Sequence, residues 1–319
     1  MSDHTRAWVQ IHFCVLLWGF TAILGKLITM PALPLVLWRM LMVAGVLFLL
    51  PRVWRGLSLL PARLLLAYMG IGVVVALHWL TFYGAIKLAN ASVAATCIAT
   101  VPVFLAFIEP LLTGSRFSWR ELLLGILILP GILLLVGGTP ESMNIGIVVG
   151  ILSAFFVAIF SALNKRLVHR SDALSVTALE MGAGGVFLAG LAVLAVMLES
   201  GPVIESFITD LDSVFALPGT QDMMLLLVLA FACTLLPFAL SLVALRHLSA
   251  FATSLAVNLE PVYAIVLAII LLNEQQDLNM QFYIGAALLL LVVFVYPLLQ
   301  RGSAYARNNS KKAFSETRS

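Results

Sequence analysis

Residues 254–272 read SLAVNLEPVYAIVLAIILL, a stretch in which Glu260 is the only ionisable side chain. At about 1.5 Å per residue, a helix of that length nearly crosses the roughly 30 Å hydrocarbon core of a bilayer. Lipid offers backbone groups no partners, so only helices and closed barrels span it. A barrel strand is short and alternates polar with apolar residues. This run does neither and reads as a membrane helix.

Nine further apolar runs resemble it, so the set lies near 8–28, 33–50, 64–86, 91–113, 120–137, 144–166, 174–198, 222–246, 249–272 and 279–299. The whole chain of 319 residues is 62% hydrophobic and 10% charged, with a mean hydropathy of +1.09. That excludes an ordinary soluble domain. The expectation is an all-α polytopic membrane protein with ten transmembrane helices. MSDHTRA precedes the first run without a following A-x-A-like site, so that run reads as a retained helix and not a cleaved signal. Cys14, Cys97 and Cys233 each lie inside a run, in no CxxC or Cys/His spacing. They read as small buried apolar residues, with no metal, cofactor or disulfide framework implied.

Charge gives the orientation, because Lys and Arg near helix ends stay cytoplasmic. With the N-terminus inside, fifteen of the eighteen basic residues fall on inner segments, and the other three are Lys26, Arg39 and Lys87. Both termini are then cytoplasmic, in a multi-pass protein of the plasma (inner) membrane. The outer segments hold Lys87 with Glu141, Glu199, Glu205, Asp210, Asp212, Asp222, Glu274 and Asp277. Sidedness accounts for the net charge of +3, so no nucleic-acid partner is needed. Residues 301–319 read as a disordered cytoplasmic tail.

Ten spans divide into five and five, as 1–138 and 139–300. An odd number per half inserts the second half in the opposite sense. A shift of 159 positions aligns AIKLANAS with ALRHLSAF and VPVF with EPVY, so that Ala85, Ala91, Pro102 and Val103 match Ala244, Ala250, Pro261 and Val262. Two inverted five-helix repeats are expected, an arrangement that opens a central site to either face.

WGF followed by Lys26 in the first span, LVLWRM in the second, HWLTFYGAIKLANASVA across the third and fourth, and LEPV followed by NE around the ninth resemble EamA-like members of the drug/metabolite transporter superfamily. The resemblance covers nearly the whole chain. It implies a secondary carrier, most often an exporter of small metabolites, amino acids or amphipathic compounds, with its cavity among the third, fourth, eighth and ninth helices and their first-helix and second-helix neighbours. The family commonly ends its fourth helix with an acid, matched in the ninth by Glu274, whereas here the fourth ends LLTGSRF. An essential paired role for that acid is therefore not expected.

A charge at mid-bilayer costs roughly 2.5 to 3.5 kcal/mol on insertion scales and must face protein or water. By helix rise, Arg39 and His78 lie roughly 21 Å from the inner edge and Glu260 roughly 16 Å, against about 9 Å for Glu180 and about 3 Å for Glu109. Arg39, His78 and Glu260 form the central candidate group. One reading makes Arg39 and Glu260 a fixed ion pair beside a packing histidine. The other has Glu260 exchange a proton while Arg39 or His78 binds a polar part of the substrate. Apolar surroundings favour a neutral carboxyl and a neighbouring guanidinium favours the anion, so a partner that comes and goes switches proton affinity. Glu180 occupies the place in its half that Arg39 occupies in the first, lining the inner vestibule as a second coupling candidate.

Trp18, Trp79, Tyr83 and Tyr263 can build an apolar or cation-accommodating pocket, to which Asn258 adds an amide. Pro102 and Pro261 lack a backbone donor and bend their spans at matching places in the two halves, as paired gates. Gly146, Gly150, Ala154, Ala158 and Ala162 make a stripe that lets another helix approach closely. Segment 200–221 alternates acids with apolar residues and reads as an outer amphipathic element.

No G-x-S-x-G, H-E-x-x-H, Walker or G-x-G-x-x-G pattern occurs, so an enzyme is not the expectation and ATP-driven pumping by this chain is excluded. The expected function is secondary active export by alternating access, with the bilayer and a small-molecule substrate as partners and protons as the candidate coupling ion. An intramembrane enzyme or a lipid-handling subunit is the alternative, and monomer or homodimer stays open.

Overall fold

The computed structural model describes residues 3–114, 117, 119–167, 170–195, 202–244, 247, 256–257 and 259–292, and every regular element among them is helical. In chain order these are α1 (Asp3–Leu27), α2 (Ala32–Phe48), α3 (Pro51–Ser58), α4 (Ala62–Leu88), α5 (Ala91–Ile98), α6 (Val101–Thr113) and α7 (Trp119–Gly137). A 3₁₀ turn at Glu141–Met143 leads into α8 (Asn144–Leu167), then α9 (Ala173–Ala195), α10 (Pro202–Glu205), α11 (Leu211–Phe215) and α12 (Thr220–Leu227). A π stretch, Val228–Leu235, joins α12 to α13 (Leu236–Ala244), and α14 (Glu260–Leu272) and α15 (Met280–Val292) follow.

Six helical segments among the described residues are long and apolar enough to cross a membrane, or seven if the pair α2 and α3, bent by 88°, is one span. The chain is a multi-pass membrane protein. The apolar helices α14 and α15 are shorter, and the predicted ninth and tenth runs extend past the described residues, as does the tail 301–319.

Prolines set the breaks. Pro51 pushes the residue before it out of helical geometry; Leu50 is extended, and α3 starts afresh with Pro51 in its first turn. Pro102 and Pro261 also sit in the first turns of α6 and α14. Both were expected to bend a continuous helix. In the fourth span the helix stops at Ile98 and restarts at Val101, which puts Pro102 where no helical donor is required. Pro237 lies two residues past the π stretch, a widened turn of the kind that accommodates a helix interruption.

Packing follows the small-residue stripe. Gly146, Gly150, Ala154, Ala158 and Ala162 are buried along α8, where a Cβ on Gly146 would meet Ala89 at 2.7 Å and one on Gly150 would meet Cys97 at 2.9 Å. The same closeness joins α4 to α9, since a Cβ at Gly72 would lie 2.2 Å from the Glu180 carbonyl oxygen. All three cysteines are free and buried.

The helix ends sort into two groups. At one end the Lys87 ammonium donates to the Ile28 carbonyl, Asp222 accepts from Thr29, the Ala32 and Leu33 amides donate to Ser206 and Phe207, and Asn279 N–H reaches Gly138. At the other, Tyr68 donates to the Leu167 carbonyl, Ser175 to that of Val53, and Lys165 pairs with Glu109. Thus α1 finishes at the end where α8 begins, and the two run in opposite directions.

Candidate functional site

Arg39 lies on the buried face of α2 with 2% of its surface exposed. Its Nε donates to Thr234 Oγ1 at 2.5 Å and its Nη1 to the Tyr83 hydroxyl at 2.9 Å. The guanidinium carbon stands 3.8 Å from the Trp79 ring centroid, a cation–π contact. Trp79 and Tyr83 are four residues apart on α4, so one face presents both. Tyr83 fits because it lies against Gly25 of α1, where a Cβ would stand 2.4 Å from the ring. Thr234 belongs to the π stretch and donates its own proton to the Leu229 carbonyl at 2.7 Å, five residues back, which leaves its lone pairs for Arg39.

The Arg39–Glu260 ion pair of the first reading is absent. Among the described residues, Lys165–Glu109 is the one salt bridge within 4.0 Å. Glu260 opens α14, is half-buried, and has no side-chain hydrogen bond among the described residues. Arg39 is thus held entirely by neutral partners, with Nη2 lacking a hydrogen bond among the described residues.

The other candidates disperse. His78 points to α8, where Nδ1 lies 2.8 Å from Ser153 Oγ and that hydroxyl donates to the His78 carbonyl at 3.0 Å. The hydroxyl has one proton for these two contacts, so if it goes to the carbonyl, Nδ1 is the donor. Phe160 stacks obliquely on the ring, with centroids 5.5 Å apart. Trp18 and Tyr263 pack with Leu240 and Val257 in a cluster separate from Trp79 and Tyr83, so the expected aromatic pocket divides in two. At their seam α1 touches α14, where a Cβ on Gly19 would meet Tyr263 Cβ at 2.8 Å. Asn258 lies outside the described residues.

Glu180 was expected to line an open vestibule and instead is 0% exposed. Its Oε2 is 3.5 Å from Asn164 Nδ2, and its Oε1 has no partner. The close approach of α4 at Gly72 seals it. Segment 200–221 keeps the expected polarity, with Glu205, Asp210 and Asp212 exposed. Part of its apolar side turns inward, where Phe207, Ile208 and Val214 join the main core, while Phe215 and Leu217 stay exposed. Phe207 occupies the notch left by Gly84, where a Cβ would lie 2.3 Å from the ring.

Several contacts had no local sequence signal. Thr234 was foreshadowed only by Pro237 three residues on, and Glu274 gave no hint that its carboxylate would hold the start of α5.

The EamA-like transporter family matches residues 7–137 and again 144–296. The chain belongs to the EamA-like transporter family. The two matches are two EamA-like repeats, each containing one member of the broken pair α5–α6 and α14, and they fit the drug/metabolite transporter superfamily. Sixteen solved chains are similar. One crystal structure, 17% identical, superposes with a TM-score of 0.60 over 93% of this chain and 98% of that one; this likeness concerns the fold alone. No curated protein matches the chain.

Proposed function

We propose that this EamA-like protein is a secondary active exporter that works by alternating access, and that Arg39 recognises an anionic group on a small amphipathic substrate. The observation that carries the reading is a buried guanidinium whose partners Thr234, Tyr83 and Trp79 are all neutral. A guanidinium at depth in a bilayer with no ion pair among the described residues is costly, and a substrate carboxylate or phosphate supplies a paired countercharge. The aromatic faces of Trp79 and Tyr83 offer an apolar wall for the rest of such a molecule.

The opposed directions of α1 and α8 and the two family matches support ten crossings arranged as two inverted five-helix repeats, with boundaries near 138 and 300. Rocking of one repeat against the other then exposes the centre to each side in turn. Glu260, half-buried and without a side-chain hydrogen bond or ion pair among the described residues, is the residue we assign to proton coupling. Pro102 and Pro261 begin the half-helices that move, and charge sidedness supports cytoplasmic termini in the plasma membrane.

Metabolite profiling of medium from overexpressing and deleted cells identifies the exported compound, unmodified. Uptake of that compound into proteoliposomes is then followed under imposed pH gradients. Glu260→Gln is expected to abolish the dependence on the gradient. Equal pH-dependent rates in wild type and variant remove Glu260 from coupling, and chemical alteration of the compound points to an enzyme.

A further inference from the structure

Helix α3 has a surface that neither transport nor the core uses. The 88° turn after α2 sets it nearly perpendicular to that apolar helix, the orientation of an interfacial helix if α2 crosses the bilayer. Val53 and Gly56 anchor it: Val53 is buried and its carbonyl accepts from Ser175 Oγ at 3.3 Å, while Gly56 abuts the start of α9. Trp54 turns back toward α2, donating its indole N–H to the Phe48 carbonyl at 2.7 Å, yet 58% of it is exposed. Leu59, just beyond the helix, is 84% exposed.

Arg52 and Arg55, three residues apart and hence on one face, are exposed, as is Arg63 at the start of α4. None forms a salt bridge among the described residues, and no Asp or Glu occurs between residues 4 and 108. The nearest acid across the packing seam is Asp172, which meets Gly56 and accepts from the Ser175 amide. An apolar edge with a tryptophan beside a cationic edge is the chemistry of the headgroup layer, with the indole at the hydrocarbon boundary and guanidinium groups at the phosphates.

We propose that α3 is an interfacial helix that binds anionic phospholipid headgroups of the leaflet on its side through Arg52, Arg55 and Arg63. Because α3 is fixed to the start of α9, the bound lipid also holds α2 and α9 together at this end. Charge complementarity selects anionic lipid, since the three arginines have no acid between residues 4 and 108 and sit beside an exposed leucine and tryptophan that suit the hydrocarbon boundary.

The test uses the full-length purified chain, with retained phosphatidylglycerol and phosphatidylcholine counted by native mass spectrometry and by thermal shift in nanodiscs of either lipid. Wild type is expected to prefer phosphatidylglycerol, and the preference is expected to fade as salt rises. A basic residue near an anionic surface contributes about 1 kcal/mol, so replacing Arg52, Arg55 and Arg63 together with Gln lowers the preference on the order of 100-fold. Arg6→Gln, outside the patch, leaves it unchanged. The proposal is overturned if the triple variant keeps the wild-type preference, if the wild-type preference ignores salt, or if millimolar inorganic phosphate displaces the lipid, which marks a small-anion site.

Discussion

Glu274 accepts the backbone N–H of Ser92 at 2.8 Å through Oε2, while its Oε1 takes that of Ala91 at 2.9 Å. The acid at the end of α14 thereby caps the first turn of α5, joining the second repeat to the first. Two free N–H groups at a helix start form a ready site for an anion, and Asn90 Oδ1 completes the cap on Val93 at 2.9 Å. The position aligned with Glu274 in the first half is Ser115, which carries no carboxylate.

Glu274→Ala is expected to destabilise the protein by about 2–4 kcal/mol, the scale for charge-assisted bonds to buried amides left without an acceptor. Glu274→Gln, which retains one acceptor oxygen, falls between. Thermal unfolding in a fixed detergent measures both. A Glu274→Ala midpoint equal to wild type means the cap contributes nothing.

Arg39→Lys is expected to cut transport at least ten-fold, because an ammonium cannot hold Thr234, Tyr83 and the Trp79 face at once. Tyr83→Phe leaves Nη1 without its acceptor and lowers stability by about 1–3 kcal/mol. Substrate-induced thermal shift separates the two effects. Full shift in Arg39→Lys removes Arg39 from recognition.

Gly84→Ala places a methyl group in the Phe207 ring and is expected to cost about 1–3 kcal/mol, as overpacking does. Combining it with Phe207→Ala restores part of that loss. The double-mutant cycle should give a coupling energy above about 0.5 kcal/mol; additive losses would mean that the ring has another position open to it.

Glu180→Gln is expected to leave the melting point equal or higher, because a buried carboxylate with one weak donor is replaced by a neutral group of the same shape. Transport by the same variant reports whether the carboxyl takes part in coupling. A drop of several degrees in the melting point shows that the carboxylate has a stabilising partner.

Much of the architecture could be read from the chain because apolar length reports a membrane helix directly. Run 33–50 ends at Pro51 and the stripe from Gly146 to Ala162 packs as expected. The site could not be assembled the same way. When lipid surrounds a helix, its outward face is as apolar as its inward one, so periodicity fails to say which residues meet. Arg39 and Thr234 stand 195 positions apart, and mid-bilayer depth alone drew Arg39 toward Glu260. His78 was grouped with them on depth too, and depth could not show that its hydrogen bond goes to Ser153 of α8.

The first turn of α2 has no capping side chain, and the carbonyls of Ser206 and Phe207 complete it. Arg39 lies two turns further along that rod, roughly 10 Å away. A tug on the Ser206–Phe207 strap is therefore a tug on the helix that carries the guanidinium. An antibody fragment gripping the acidic rim of Glu205, Asp210 and Asp212 is expected to stiffen α2 from that end.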